Sequence, residues 1–63
     1  MPYRFYYLDK SDKIIDLTDG EYSNEAEAVA VAELHLAITP HDAVEVWQMG
    51  KMIYRGNNDK AHP

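Results

Sequence analysis

The sequence predicts a small α+β fold: a two-layer ββαββ domain with one helix packed on an antiparallel or mixed sheet. Three observations lead there. Runs rich in aromatic and β-branched residues come in pairs, each pair joined by a polar or glycine-containing loop. Between the pairs lies an alanine-rich segment free of glycine and proline. The chain has 63 residues, which leaves room for a single core.

Each element follows from local chemistry. In Tyr3-Arg4-Phe5-Tyr6-Tyr7-Leu8, the period-two geometry of a strand puts Tyr3, Phe5 and Tyr7 on one face. Arg4, Tyr6 and Leu8 take the other. Asp9-Lys10-Ser11-Asp12-Lys13 is a polar loop, Ile14-Ile15-Asp16-Leu17 resumes an extended pattern, and Asp19-Gly20 is a turn signal. Residues 3–17 therefore read as a β-hairpin. Asn24 with Glu27 three residues later forms a capping-box pattern, with Ser23 a competing cap. Glu25 and Glu27 suit the positive end of a helix dipole, and Thr39-Pro40 stops the helix that begins there.

The second hairpin is read from Ala43 to Met49 and Met52 to Arg55 around Gly50-Lys51. That loop makes Met49 face Met52, Gln48 face Ile53, Trp47 face Tyr54 and Val46 face Arg55. It places Val44, Val46 and Ile53 on one face, and Trp47, Met49, Met52 and Tyr54 on the other. The domain spans residues 1–56, and residues 57–63 read as a flexible tail.

The apolar residues exceed what one helix and one sheet can bury together. One helix stripe holds Ala28, Val29, Ala32 and Leu36; a roughly opposite stripe holds Val31, Leu34 and Ile38. The small-residue stripe suits close approach to the sheet, which leaves the other stripe without a surface. The second sheet face carries aromatics and methionines, a pattern that marks interaction surfaces. The candidate interface is Val31, Leu34, Ile38, Trp47, Met49, Met52 and Tyr54, and the expected partner is a second copy in a homodimer.

Charge and composition exclude several chemistries. Six Lys and Arg against eleven Asp and Glu give a net charge of −5, which opposes binding to nucleic acid or an anionic membrane. The absence of cysteine removes disulfides, thiolate zinc sites and cysteine nucleophiles. No apolar run reaches the roughly 18 residues of a membrane span, and the N-terminus lacks a signal-peptide pattern. A cytoplasmic location is the expectation.

Ser11 and Ser23 have ready roles in a turn and a cap, and no nucleophile elbow, phosphate loop or dinucleotide fingerprint is present. His35, His41 and Asp42 match no zinc spacing, and the acidic residues between Asp9 and Glu27 match no calcium loop. His35 is expected on a helix flank and His41 in solvent near the helix end. No catalytic residue, cofactor or metal is expected.

Several of these segments together resemble a group of short, uncharacterised bacterial proteins. The likeness lies in Met1-Pro2-Tyr3-Arg4-Phe5-Tyr6-Tyr7-Leu8-Asp9, in Asn24 to Ala32, and most in Ala43-Val44-Glu45-Val46-Trp47-Gln48. It covers residues 1 to about 56 and implies the same ββαββ order; it brings no activity with it. A looser, topological likeness to antitoxin domains that neutralise a ribonuclease carries no residue across.

Three functions fit this reading. The first is a non-catalytic protein-interaction module, acting as an adaptor or regulator. The second is a small-ligand binder or enzyme accessory with a pocket at a subunit interface, recognisable by His35 or His41 pointing inward. The third is a single-strand nucleic-acid binder using Trp47, Tyr54 and the aromatics of the first hairpin as a stacking platform.

Overall fold

The computed structural model describes residues 1–58; of the tail expected at 57–63, residues 59–63 lie outside the described residues, whereas Asn57 ends β4 opposite Ala43 and the Asn58 N–H donates to the Asp42 carbonyl. The elements are β1 (Pro2–Leu8), β2 (Ile14–Glu21), α1 (Glu25–Ile38), β3 (Ala43–Gln48) and β4 (Lys51–Asn57). The four strands form one antiparallel sheet in the order β2-β1-β3-β4, so the fold is the expected ββαββ α+β domain. The chain leaves β2 at one edge, crosses β1 by way of α1, and re-enters the sheet at β3.

The helix starts and stops where its caps dictate. The Asn24 side chain accepts a hydrogen bond from the Glu27 backbone N–H at 2.9 Å. Glu27 returns the favour one residue earlier than the usual box, accepting from the Ser23 N–H at 2.9 Å. At the other end the Thr39 N–H and hydroxyl both donate to the His35 carbonyl, which satisfies an orphan acceptor before Pro40 turns the chain.

One sheet face is covered. Ala28, Ala32 and Leu36 pack on Tyr3, Phe5, Tyr7, Val44 and Val46. Methyl side chains let the helix axis come close, and Ala28 and Ala32 retain no exposed surface. The helix lies over β3 and β4. Tyr22 covers the flank nearer β2, its ring 5.8 Å from Phe5 and 6.2 Å from Tyr3. Beyond the helix, β2 is exposed along its whole length except at Gly20.

Two details of the sheet differ from the sequence expectation. Asp19-Gly20 does not turn: it lies inside β2, which runs on to Glu21. The glycine serves packing there, because a Cβ on Gly20 would sit 2.6 Å from the Tyr22 ring. In the second hairpin the loop is Met49-Gly50, one residue earlier than expected, with φ of 53° and 77°. Positive φ at both central residues is what a type I′ turn requires, and it matches the right-handed twist of the strands.

The pairing shifts accordingly. Gln48 faces Lys51, Trp47 faces Met52, Val46 faces Tyr54 and Glu45 faces Arg55, with an irregularity between Val46 and Trp47 that absorbs Ile53. Tyr54 therefore lies on the covered face with Val46, not beside Trp47. Its ring rests over Gly56 and its hydroxyl donates to Glu33 of α1 at 3.3 Å.

The core predicts its own sensitivities. Phe5 is 1% exposed at its centre, so Phe5→Ala is expected to cost about 3–5 kcal/mol and leave so small a domain largely unfolded in a urea titration. Leu34 is 56% exposed, so Leu34→Ala should shift the same titration by less than about 1 kcal/mol.

Candidate functional site

Among the described residues, the face of the sheet turned away from α1 has no second layer. Cross-strand pairing arranges it in three full rows beyond the Pro2–Glu21 pair that begins it. Asp19, Arg4, Trp47 and Met52 form the first, Leu17, Tyr6, Glu45 and Arg55 the second, and Ile14, Leu8, Ala43 and Asn57 the third.

At one end this face is closed by an ion-pair strap. Arg55 donates through Nη1 to Glu45 Oε2 at 3.0 Å and through Nη2 to Asp12 Oδ1 at 2.6 Å. Asp12 belongs to the β1–β2 loop, so the guanidinium of β4 reaches across the two central strands. Leu8 and Ala43, the opposed pair beneath that span, are each 3% exposed although no helix covers them. The aliphatic stem of an arginine can shield apolar surface while its head remains solvated.

The remaining rows stay open. Arg4 makes a two-pronged contact with Asp19, Nε to Oδ1 at 2.8 Å and Nη2 to Oδ2 at 3.4 Å. Tyr6 and Trp47 meet edge to face, with centroids 6.1 Å apart and planes at 88°. The indole N–H donates to Glu45 Oε1 at 3.0 Å. A groove of about 430 Å³ runs along this corner, walled by Arg4, Tyr6, Asp19, Trp47 and the Met49-Gly50 turn. Ile14, Leu17 and Met52 extend the apolar surface and are about half exposed.

The expected interface residues divide between surfaces. Trp47, Met49 and Met52 belong to the open face or its rim. Tyr54 does not, for the reason of register given above. Val31 packs against the core, while Leu34 and Ile38 stand on the outer side of α1 at 56% and 69% exposure. Of the expected helix stripe, the pair Leu34 and Ile38, one turn apart, is what remains exposed. The sequence pattern does not single out Leu17 and Ile14 as interface residues; their signal is their position opposite Tyr6 and Leu8, which requires the register.

The histidines are tied to the fold. The Tyr7 hydroxyl and His35 Nδ1 share a hydrogen bond at 2.7 Å, linking β1 to α1. Burial pushes the Tyr7 hydroxyl above its usual range, with Tyr22 and Asp16 adding to the effect. That works against a phenolate nucleophile or base at neutral pH. His41 does not stand in solvent. It stacks on the Tyr7 ring at 4.9 Å, because the Asp42 N–H bonds to the Leu8 carbonyl and draws the post-helix turn against β1.

The Thr39 hydroxyl already donates to the His35 carbonyl, so its oxygen accepts from His41 Nδ1–H at 2.8 Å. Neither histidine lines the groove of the open face. No cluster of three or more metal-ligating side chains occurs among the described residues. No helix among them is long and apolar enough to cross a membrane.

Comparison of the chain with protein-family models, curated proteins and solved structures finds no match. The open face is apolar and aromatic at its centre. Both arginines of the chain lie on it, each already bound to carboxylates.

These carboxylates set a pH dependence. The Arg4 guanidinium holds Asp19 below the usual carboxylate range, and the Lys13 and Ser11 backbone N–H groups do the same for Asp9. A carboxylate with a lowered folded value stabilises the fold fully above its unfolded value, about 3.9 for aspartate. That stability is lost as pH falls through the lowered folded value. Urea midpoints are expected to be flat near neutrality and to fall below about pH 4, with a shallower fall in Asp9→Asn and Asp19→Asn.

Proposed function

We propose that this chain is a non-catalytic protein-interaction module whose working surface is the open face of the sheet. The observation that carries the reading is the Tyr6–Trp47 pair with Leu17, Ile14 and Met52 around it, left without a covering layer. A domain this small gains stability from every apolar residue it can bury. Keeping an aromatic pair and three large aliphatic groups on an open sheet makes sense as a docking surface.

Charge placement supports a protein partner over nucleic acid. Phosphate recognition needs basic groups free to meet the backbone. Here Arg4 is held by Asp19, and Arg55 by Asp12 and Glu45. A stacking platform also needs its rings side by side on one face, and Tyr54 lies on the covered one.

Photo-crosslinking in cells tests the reading. A photoreactive residue in place of Met52 reports on the open sheet face, and one in place of Leu34 reports on the outer side of the helix. Protein adducts are expected from position 52 in several-fold excess over position 34. Adducts concentrated at position 34 would move the working surface to the helix. Single-stranded RNA should give no shift at near-physiological salt, and a tight complex lost in Trp47→Ala would replace the protein-docking reading with a nucleic-acid one.

A further inference from the structure

The hairpin tip carries a residue that the fold itself does not need. Met49 occupies the first central position of the β3–β4 turn with φ of 53° and is 93% exposed. At that position Asn, Asp or Gly meets the backbone requirement at less cost. An unbranched apolar side chain therefore stands in solvent on a backbone that disfavours it. Strain of this kind at an exposed apolar site is a pointer to a contact outside the chain.

A receptor for such a side chain lies on the same face. The groove walled by Arg4, Tyr6 and Trp47 begins at the Met49-Gly50 turn and holds about 430 Å³. It presents the edge and face of two aromatic rings, the surroundings in which a thioether packs well. Knob and groove are adjacent on one surface. Two copies placed face to face about a twofold axis near that corner would each put Met49 into the groove of the other, and the contact closes on itself.

Charge selects this surface over the helix. The open face and its strap carry two arginines against Asp12, Asp19, Glu21 and Glu45, so ion pairs offset half of its negative charge in a chain of net charge −5. α1 carries Glu25, Glu27 and Glu33 with no lysine or arginine. Pairing two helices through Leu34 and Ile38 would bring uncompensated like charge together, whereas pairing two open faces brings less of it.

Size fixes the expected strength. Four strands about 4.8 Å apart and roughly six residues long at about 3.3 Å each give a face of roughly 400 Å² in projection. Two such faces total roughly 800 Å², below the roughly 1,200 Å² at which standard specific interfaces begin, so the pairing is a weak, transient one in the upper micromolar range.

We infer that the partner of the open face is a second copy of this chain, docked isologously with Met49 of each copy in the Arg4–Tyr6–Trp47 groove of the other. The inference rests on the interaction-module reading and goes further by naming the occupant.

Sedimentation equilibrium from about 10 µM to 1 mM tests it, a range set by the expected micromolar pairing. The parent should form a dimer. Met49→Asn installs a favoured Asn-Gly turn, so its urea midpoint should be equal to or higher than that of the parent while dimerisation weakens at least tenfold. Leu34→Glu should leave dimerisation within twofold of the parent. A photoreactive residue at position 49 should crosslink the partner copy at Tyr6, Trp47 or Arg4.

A parent that stays monomeric at the highest concentration overturns the self-pairing. So does a dimer untouched by Met49→Asn, or a position-49 crosslink that maps to α1. If the monomer still gives adducts with other proteins from position 52 in cells, the module reading stands and the second-copy occupant falls. If both are lost, the two fail together.

Discussion

One helix has to close a four-stranded sheet, and the rest of the molecule follows from how closely it does so. Ala28 and Ala32 bring α1 down onto Phe5, Val44 and Val46, where no larger side chain would fit. That approach makes a dry core on one side. It also fixes the width of sheet the helix can cover, which is β3, β4 and the centre of β1. Tyr22 and Tyr54 extend the cover at its two margins, each ring lying over a glycine two residues away on the same strand or just beyond it. In a chain with one helix the opposite face must be left to the strands themselves.

How that face is treated shows what the sequence spends its charged residues on. At one end the Arg55 strap seals Leu8 and Ala43 with ion pairs rather than with a second layer. Exposed pairs of this kind contribute little stability each. Their larger effect is to offset negative charge on the surface and to fix the β1–β2 loop against β4. The other end lacks such a seal and carries the aromatic pair. Much of the remaining negative charge is borne by the helix and the connecting segments, away from the open face.

The element order, the helix bounds and the covered core stripe were legible in the sequence because each rests on a local signal. Asn24, Glu27 and Thr39-Pro40 mark the helix ends, and alternation marks β1. The strand register was not legible to the same degree. A glycine at position 50 is compatible with either of two adjacent loops, and the choice depends on φ at Met49, which composition does not reveal. Moving the loop by one residue changes each partner by two and keeps Trp47 and Met52 on one face; the irregularity at Ile53 is what moves Tyr54 to the other. Asp19-Gly20 misled for a different reason: its glycine answers to the Tyr22 ring, a contact made on the covered face of the sheet. The candidate surface inherits these limits. Trp47 and Met52 were visible as apolar strand residues, but Leu17 and Ile14 join them only once β2 is paired to β1.

The edges of the sheet bear on which way two copies can meet. β2 and β4 are both edge strands, and exposed edges invite pairing with another chain. β2 carries Asp16, Asp19 and Glu21, so two β2 edges repel when brought together. β4 is interrupted at Ile53, where the ladder to β3 loses step and the strand bends. Each edge is thus guarded by a device that leaves the broad face untouched. Pairing the β2 edge of one copy with the β4 edge of the next would extend from copy to copy without closing, whereas a twofold contact between faces stops at two. The devices that guard the edges therefore leave the broad open face unguarded.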